Sequence, residues 1–150
     1  RLDGAAAQDG VSVDLFNTWM FQSRREPSLL ITLDWRKGSL YTTVTAAPKD
    51  GSEFQRLVAG EDVRIRDNEW HHLAIVREGN TLRFYLDSVE GTDPAAIPDL
   101  SISSLPVYIG GSSNRRYGIP LLMADYRLYD RALSQTEIVE LFEDKSSSAR

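Results

Sequence analysis

The chain of 150 residues contains no cysteine, so no disulfide staples it, and thiolate catalysis and cysteine-ligated metals are excluded. Histidine is almost absent as well. His71 and His72 are the whole supply, and adjacent residues on a strand face opposite sides, so they cannot jointly hold one metal. No apolar run approaches the roughly 18 residues of a helical membrane span. There is no G-x-S-x-G elbow for a serine hydrolase, and Gly110 and Gly111 lack the lysine and following helix of a phosphate loop. A basic stripe is missing too: the net charge is −5 and the arginines come in scattered pairs such as Arg24 with Arg25 and Arg115 with Arg116. Nucleic acid is therefore not expected as a partner, nor is membrane insertion.

What is present is the composition of an ordinary globular domain, 41% hydrophobic and 26% charged. A domain of this length buries about 70% of its unfolded surface and needs no staples. The chain starts at Arg1 rather than Met and shows no Asn-X-Ser/Thr acceptor, which suits a piece of a longer, unglycosylated protein.

The strongest pattern runs from Glu69 to Leu86. From Trp70 to Val76 apolar residues fall on both parities, the signature of a strand covered on both faces. Glu78, Gly79 and Asn80 form a turn, and Leu82, Phe84 and Leu86 then alternate with Arg83, Tyr85 and Asp87, which predicts a hairpin at the centre of a sheet. Upstream, period-two alternation predicts strands from Val11 to Phe21, with a bulge near Phe16 and Asn17, and over Leu29–Trp35 and Ser39–Thr45. Shorter strands are expected over Glu53–Val58 and Val63–Arg66, and later ones over Leu105–Ile109 and Leu121–Tyr129. Ser88–Leu100 and Gly110–Tyr117 are expected as long surface loops. Ser134 and Glu137 make a capping box, with Leu133 and Ile138 as its hydrophobic staple. A helix of about eight residues starting at Gln135 should dock through Ile138, Leu141 and Phe142, because alone it is too short to hold.

Four blocks, W-H-H-L-A-I-V, L-R-F-Y-L-D, L-P-V-Y-I-G-G and D-Y-R-L-Y-D-R-A-L-S-Q-T-E-I, span residues 69 to 142. In order and spacing they resemble the laminin G-like, concanavalin A-like jelly rolls. The resemblance implies an all-β antiparallel β-sandwich with one short C-terminal helix over residues 1–145, cut inside its first strand, and a tail at 146–150. It leaves function open, since that fold hosts lectins, adhesion modules, enzyme appendages and glucanases. Asp87-Ser88 replaces the usual Asp-Gly, and Ala124 stands where an acid is common, so no family calcium ligand is carried over.

A glucanase would need paired carboxylates on one strand face, and no strand run supplies them, so no enzymatic activity is expected. The three tryptophans, Trp19, Trp35 and Trp70, suit the core, though Trp35 beside Arg36 could stack on a sugar with Tyr41 nearby. Binding residues concentrate on long loops. Asn114, Arg115, Arg116 and Tyr117 on the second loop suit hydroxyls, carboxylates and ring stacking. On the first, Asp93 and Asp99 are hard oxygen ligands able to hold Ca2+, and beside proline they are equally turn formers. No cofactor is required. The expectation is a non-catalytic recognition or adhesion module of a larger extracellular or cell-surface protein, binding a glycan or protein ligand through rim loops. The alternative is a structural module that packs against neighbouring domains in a filament or envelope.

Overall fold

The computed structural model describes residues 12–18, 28–36, 39–47, 55–59, 69–91, 94–97, 107–110 and 122–148. Among them the chain forms β1 (Ser12–Asn17), β2 (Ser28–Arg36), β3 (Ser39–Ala47), β4 (Gln55–Ala59), β5 (Leu73–Glu78), β6 (Thr81–Leu86), β7 (Val89–Glu90), β8 (Ala95–Ala96) and α1 (Gln135–Ser148). The first sheet runs β1-β2-β3-β4 with every pair antiparallel. In the second, β5 pairs one edge of β6, while β7 and β8 share the other. This is the expected antiparallel sandwich. Val63–Arg66 lies outside the described residues.

Alternation along β2 sends Leu29, Ile31 and Leu33 into the interior. In β1 the register moves from Asp14 opposite Thr32 to Phe16 opposite Ile31, so Leu15 is the inserted residue of a bulge, one position before the one expected. The bulge lets two consecutive side chains, Leu15 and Phe16, both pack on the core. That core joins the sheets: Leu29 and Ile31 from the first meet Leu82, Phe84 and Ile97 from the second.

The opposite face of the second sheet is also covered. Val76 and Tyr85 close over Ile138 of α1, with Ala74 and Leu133 around them. The two-parity pattern of the hairpin is thus accounted for, one parity against the first sheet and the other against the helix. Gly79 takes φ 57 at the first turn position, which suits a two-residue II′ hairpin turn.

Several expectations change. Trp70 is 57% exposed and precedes β5 rather than belonging to it. The Asp87 carboxylate takes the His72 N–H at 2.9 Å, so a side chain meets a donor that the ladder would otherwise take. Ser88–Leu100 is not all loop, since β7 and β8 satisfy the free edge of β6 and Ile97 is buried at 3% exposure. No strand ladder forms over 107–109 or 122–129; Tyr108 makes a single bridge. Asp125 sits at φ 56 and hooks Arg127 at 2.9 Å, which interrupts an extended run.

The helix is longer than expected, and residues 146–148, anticipated as part of a tail, belong to its last turn. Once a helix is nucleated and docked, each added residue costs little. Its start follows the sequence. The Ser134 N–H donates to Glu137 Oε2 at 2.8 Å and the Glu137 N–H to Ser134 Oγ at 3.3 Å, the reciprocal pair of a capping box. The Arg131 guanidinium, then the Ser134 backbone and hydroxyl, hold the Glu137 carboxyl down to about 2. A depressed acid contributes fully above its unfolded value and loses that contribution as pH falls. The cap should therefore persist in mild acid and weaken only as pH drops from about 4.5 towards 2.

Two substitutions test this frame by urea unfolding. Ile138→Ala, which empties a fully buried site, should cost about 2 to 5 kcal/mol, whereas Ser134→Ala should cost about 1; equal effects would mean that α1 is capped but not docked. The β6–β7 turn offers the opposite sign. Asp87 and Ser88 both hold positive φ, 50 and 68, and serine has no special tolerance of that region, so Ser88→Gly should stabilise the domain by roughly 0.5 to 1 kcal/mol.

Candidate functional site

A side-chain period of two fixes what the first sheet turns away from the core. If Leu29, Ile31 and Leu33 point inward, Thr32 and Asp34 point outward. The register then sets Asp14 and Thr43 on either side of Thr32, and Ser12 and Tyr41 on either side of Asp34. An outward face of this kind is ordinarily wet. Here Asp14, Thr32, Asp34 and Thr43 are only 8, 8, 7 and 1% exposed.

Buried polar groups must be hydrogen-bonded or they oppose folding. Thr43 Oγ1 donates to Asp34 Oδ2 at 2.7 Å, and Thr32 Oγ1 donates to Asp34 Oδ1 at 3.2 Å. The shorter bond is in the range of a charge-assisted one. Both carboxylate oxygens therefore accept from hydroxyls on two strands. Thr18 closes the end of the same sheet, its Oγ1 accepting the Leu29 N–H at 2.9 Å.

Sequence reasoning missed this face because it sought acids along one strand. Asp14 and Asp34 lie on neighbouring strands and become diagonal neighbours through the register alone. The available signal was the polar parity of β2, read together with Thr43 on β3.

A second polar cluster ties the hairpin to the helix. His71 Nδ1 lies 2.7 Å from Asp87 Oδ2, and the His72 ring tilts against Phe142 of α1 with centroids 6.1 Å apart. Gln135 Nε2 donates to the Ser88 carbonyl at 2.9 Å. The histidines thus serve packing and anchoring, each on its own side of the chain.

Of the residues singled out from sequence, Asn114, Arg115, Arg116, Tyr117, Asp93 and Asp99 lie outside the described residues. Trp35 and Tyr41 fall on β2 and β3, but Trp35 is registered with Leu40 and Tyr41 with Asp34. These are backbone positions in the β2–β3 ladder.

The chain matches the family described as the concanavalin A-like lectin/glucanases superfamily over residues 7–139. A search of curated proteins returns no match. Among solved structures, it aligns with the crystal structure of an S-layer domain-containing protein (residues 221–444) from Clostridium thermocellum ATCC 27405, with a TM-score of 0.44 and 19% identity. The alignment covers 91% of this chain and 66% of that one.

The Asp34 arrangement makes its own prediction. Thr43→Val keeps the shape and removes the donor to a buried carboxylate, so it should cost about 1.5 to 3 kcal/mol in denaturant unfolding. Thr43→Ser, which retains the hydroxyl, should cost clearly less. A loss from Thr43→Ser as large as that from Thr43→Val would mean that the hydroxyl is not the dominant contribution.

Proposed function

Because the chain belongs to the concanavalin A-like lectin/glucanase superfamily, we propose that it is a non-catalytic recognition module of a larger extracellular or cell-surface protein, with glycan as its ligand. The observation that carries this reading is the polar face of the first sheet. A sheet needs one apolar face to fold; here the second holds two aspartates and two threonines in fixed positions. Acceptors and hydroxyls set on a rigid frame suit sugar hydroxyls better than an apolar ligand. Since these groups are buried, they act as the floor, and the direct contacts fall to the rim. On the proposal, Asn114, Arg115, Arg116 and Tyr117 hydrogen-bond and stack against the sugar, Tyr41 borders the polar face, and Asp93 and Asp99 hold Ca2+ if the first loop takes a metal. The domain runs through α1.

Hydrolysis is the less favoured chemistry. A glycosidase needs one carboxyl that carries a proton to the leaving oxygen, and both oxygens of Asp34 are already engaged as acceptors of threonine hydroxyls. A different reading, a packing module in a filament or envelope, draws support from the exposed apolar side chains of 107–109 and 122–129.

A glycan array separates the two. Recognition predicts a defined set of bound glycans, lost when Arg115, Arg116 and Tyr117 are replaced together by alanine while Tm stays within a few degrees. No binding by the parent domain, with or without added Ca2+, would favour the packing reading. Binding retained in full by the triple variant would move the contacts off that loop.

A further inference from the structure

Outside the segments 107–109 and 122–129, two large apolar side chains are exposed among the described residues, Trp70 at 57% and Val89 at 67%. Both lie at the same end of the β5–β6 hairpin. Val89 directly follows the Asp87–Ser88 turn, and Trp70 stands two residues before His72, whose carbonyl accepts the Asp87 N–H at 2.8 Å. Tryptophan is on average a heavily buried residue, so an indole left in water at a fixed place calls for a reason.

The place is fixed from two sides. The Asp87 carboxylate lies 2.7 Å from His71 Nδ1 and accepts the His72 N–H at 2.9 Å, while the His72 ring tilts against Phe142 of α1. The two residues after Trp70 are thus held by the turn and by the helix, and the indole departs from an anchored backbone. Its N–H is a donor, and the neighbouring Glu69, also exposed, supplies an acceptor.

We propose that Trp70 and Val89 form a subsite for an uncharged pyranose, whose apolar C–H face lies against the indole. The ligand class rests on the glycan reading above, but none of the loop contacts named there is used. Size favours this occupant. A stable protein interface takes about 800 Å² from each partner, far more than two side chains beside a turn can offer, whereas one indole matches one sugar ring. Charge narrows the choice further. Glu69, Asp87 and Glu90 flank the two apolar residues in the chain, and Arg83 is already shared between Glu78 and Glu90 at 3.5 and 3.4 Å. Carboxylated or sulfated sugars are therefore disfavoured by like charge. Pyranoses with equatorial hydroxyls, of the glucose or N-acetylglucosamine type, present the widest C–H face.

The test titrates the intact chain with cellohexaose, chitohexaose and hexagalacturonate, read by calorimetry and by acrylamide quenching of tryptophan fluorescence. At least one of the two neutral hexaoses should bind the parent, and the acidic one should not. Binding should shield an indole from acrylamide. Trp70→Phe should abolish that shielding while weakening binding only a few-fold, because a smaller ring remains. Trp70→Ala should weaken binding roughly tenfold or more with Tm within a few degrees. If Trp70→Ala fails to fold, the phenylalanine variant and the shielding of the parent still decide. Unchanged affinity in Trp70→Ala, no shielding in the parent, or a preference for hexagalacturonate would each overturn the subsite and leave a glycan site elsewhere standing. A parent chain that binds neither neutral hexaose overturns it as well, and the glycan array then shows whether the wider reading falls with it.

Discussion

The fold depends on one strand pair being buried from both sides. The β5–β6 hairpin presents Leu82 and Phe84 to the first sheet and Val76 and Tyr85 to the helix, so it is the only described element that belongs to both cores. Each covering layer needs the other. A helix of 14 residues is marginal by itself, because nucleation is costly and isolated helices of this length barely hold in water. The hairpin, for its part, would leave an apolar face wet without Ile138.

This dependence explains why polar anchors cluster where the helix begins. Asp87 takes the His72 N–H and lies against His71, and the next residue, Ser88, receives Gln135 through its carbonyl. The turn after β6 thus fixes the residues that lead into β5 and the first residue of α1 together. Hydrogen bonds contribute direction where apolar contacts, which have none, cannot choose among nearby orientations.

The first sheet resolves the same problem differently. One face is apolar and joins the core, while the other buries Asp34 beneath the hydroxyls of Thr32 and Thr43. A buried carboxylate is tolerable because donors on two strands are presented to it at the spacing of a β-ladder. That geometry pins β2 to β3 and gives the sheet a buried polar face, whereas the exposed apolar side chains gather on 107–109 and 122–129, at the other extreme of surface chemistry.

Local pattern by itself determined the strands that alternate, the hairpin covered on both faces, the bulge in β1, and the capping box with its staple, because each depends on residues within a few positions of one another. It also excluded disulfides and cysteine-ligated metals, because the sequence has no cysteine. Four features waited for the tertiary structure. Trp70 looked like core because it is large and adjoins an apolar run, yet its exposure depends on where β5 starts. The pairing of 89–90 and 95–96 with β6 depends on an edge supplied by distant residues. The segment 122–129 has strand chemistry, but Asp125 takes a positive φ within it, and no ladder forms along it among the described residues. The polar face brings Asp14, Thr32, Asp34 and Thr43 together from three strands, and only the inter-strand register decides which side chains become neighbours. The sequence states what each strand buries; which strands lie beside it is settled by packing across the whole chain, and a site assembled across strands stays hidden until that packing is known.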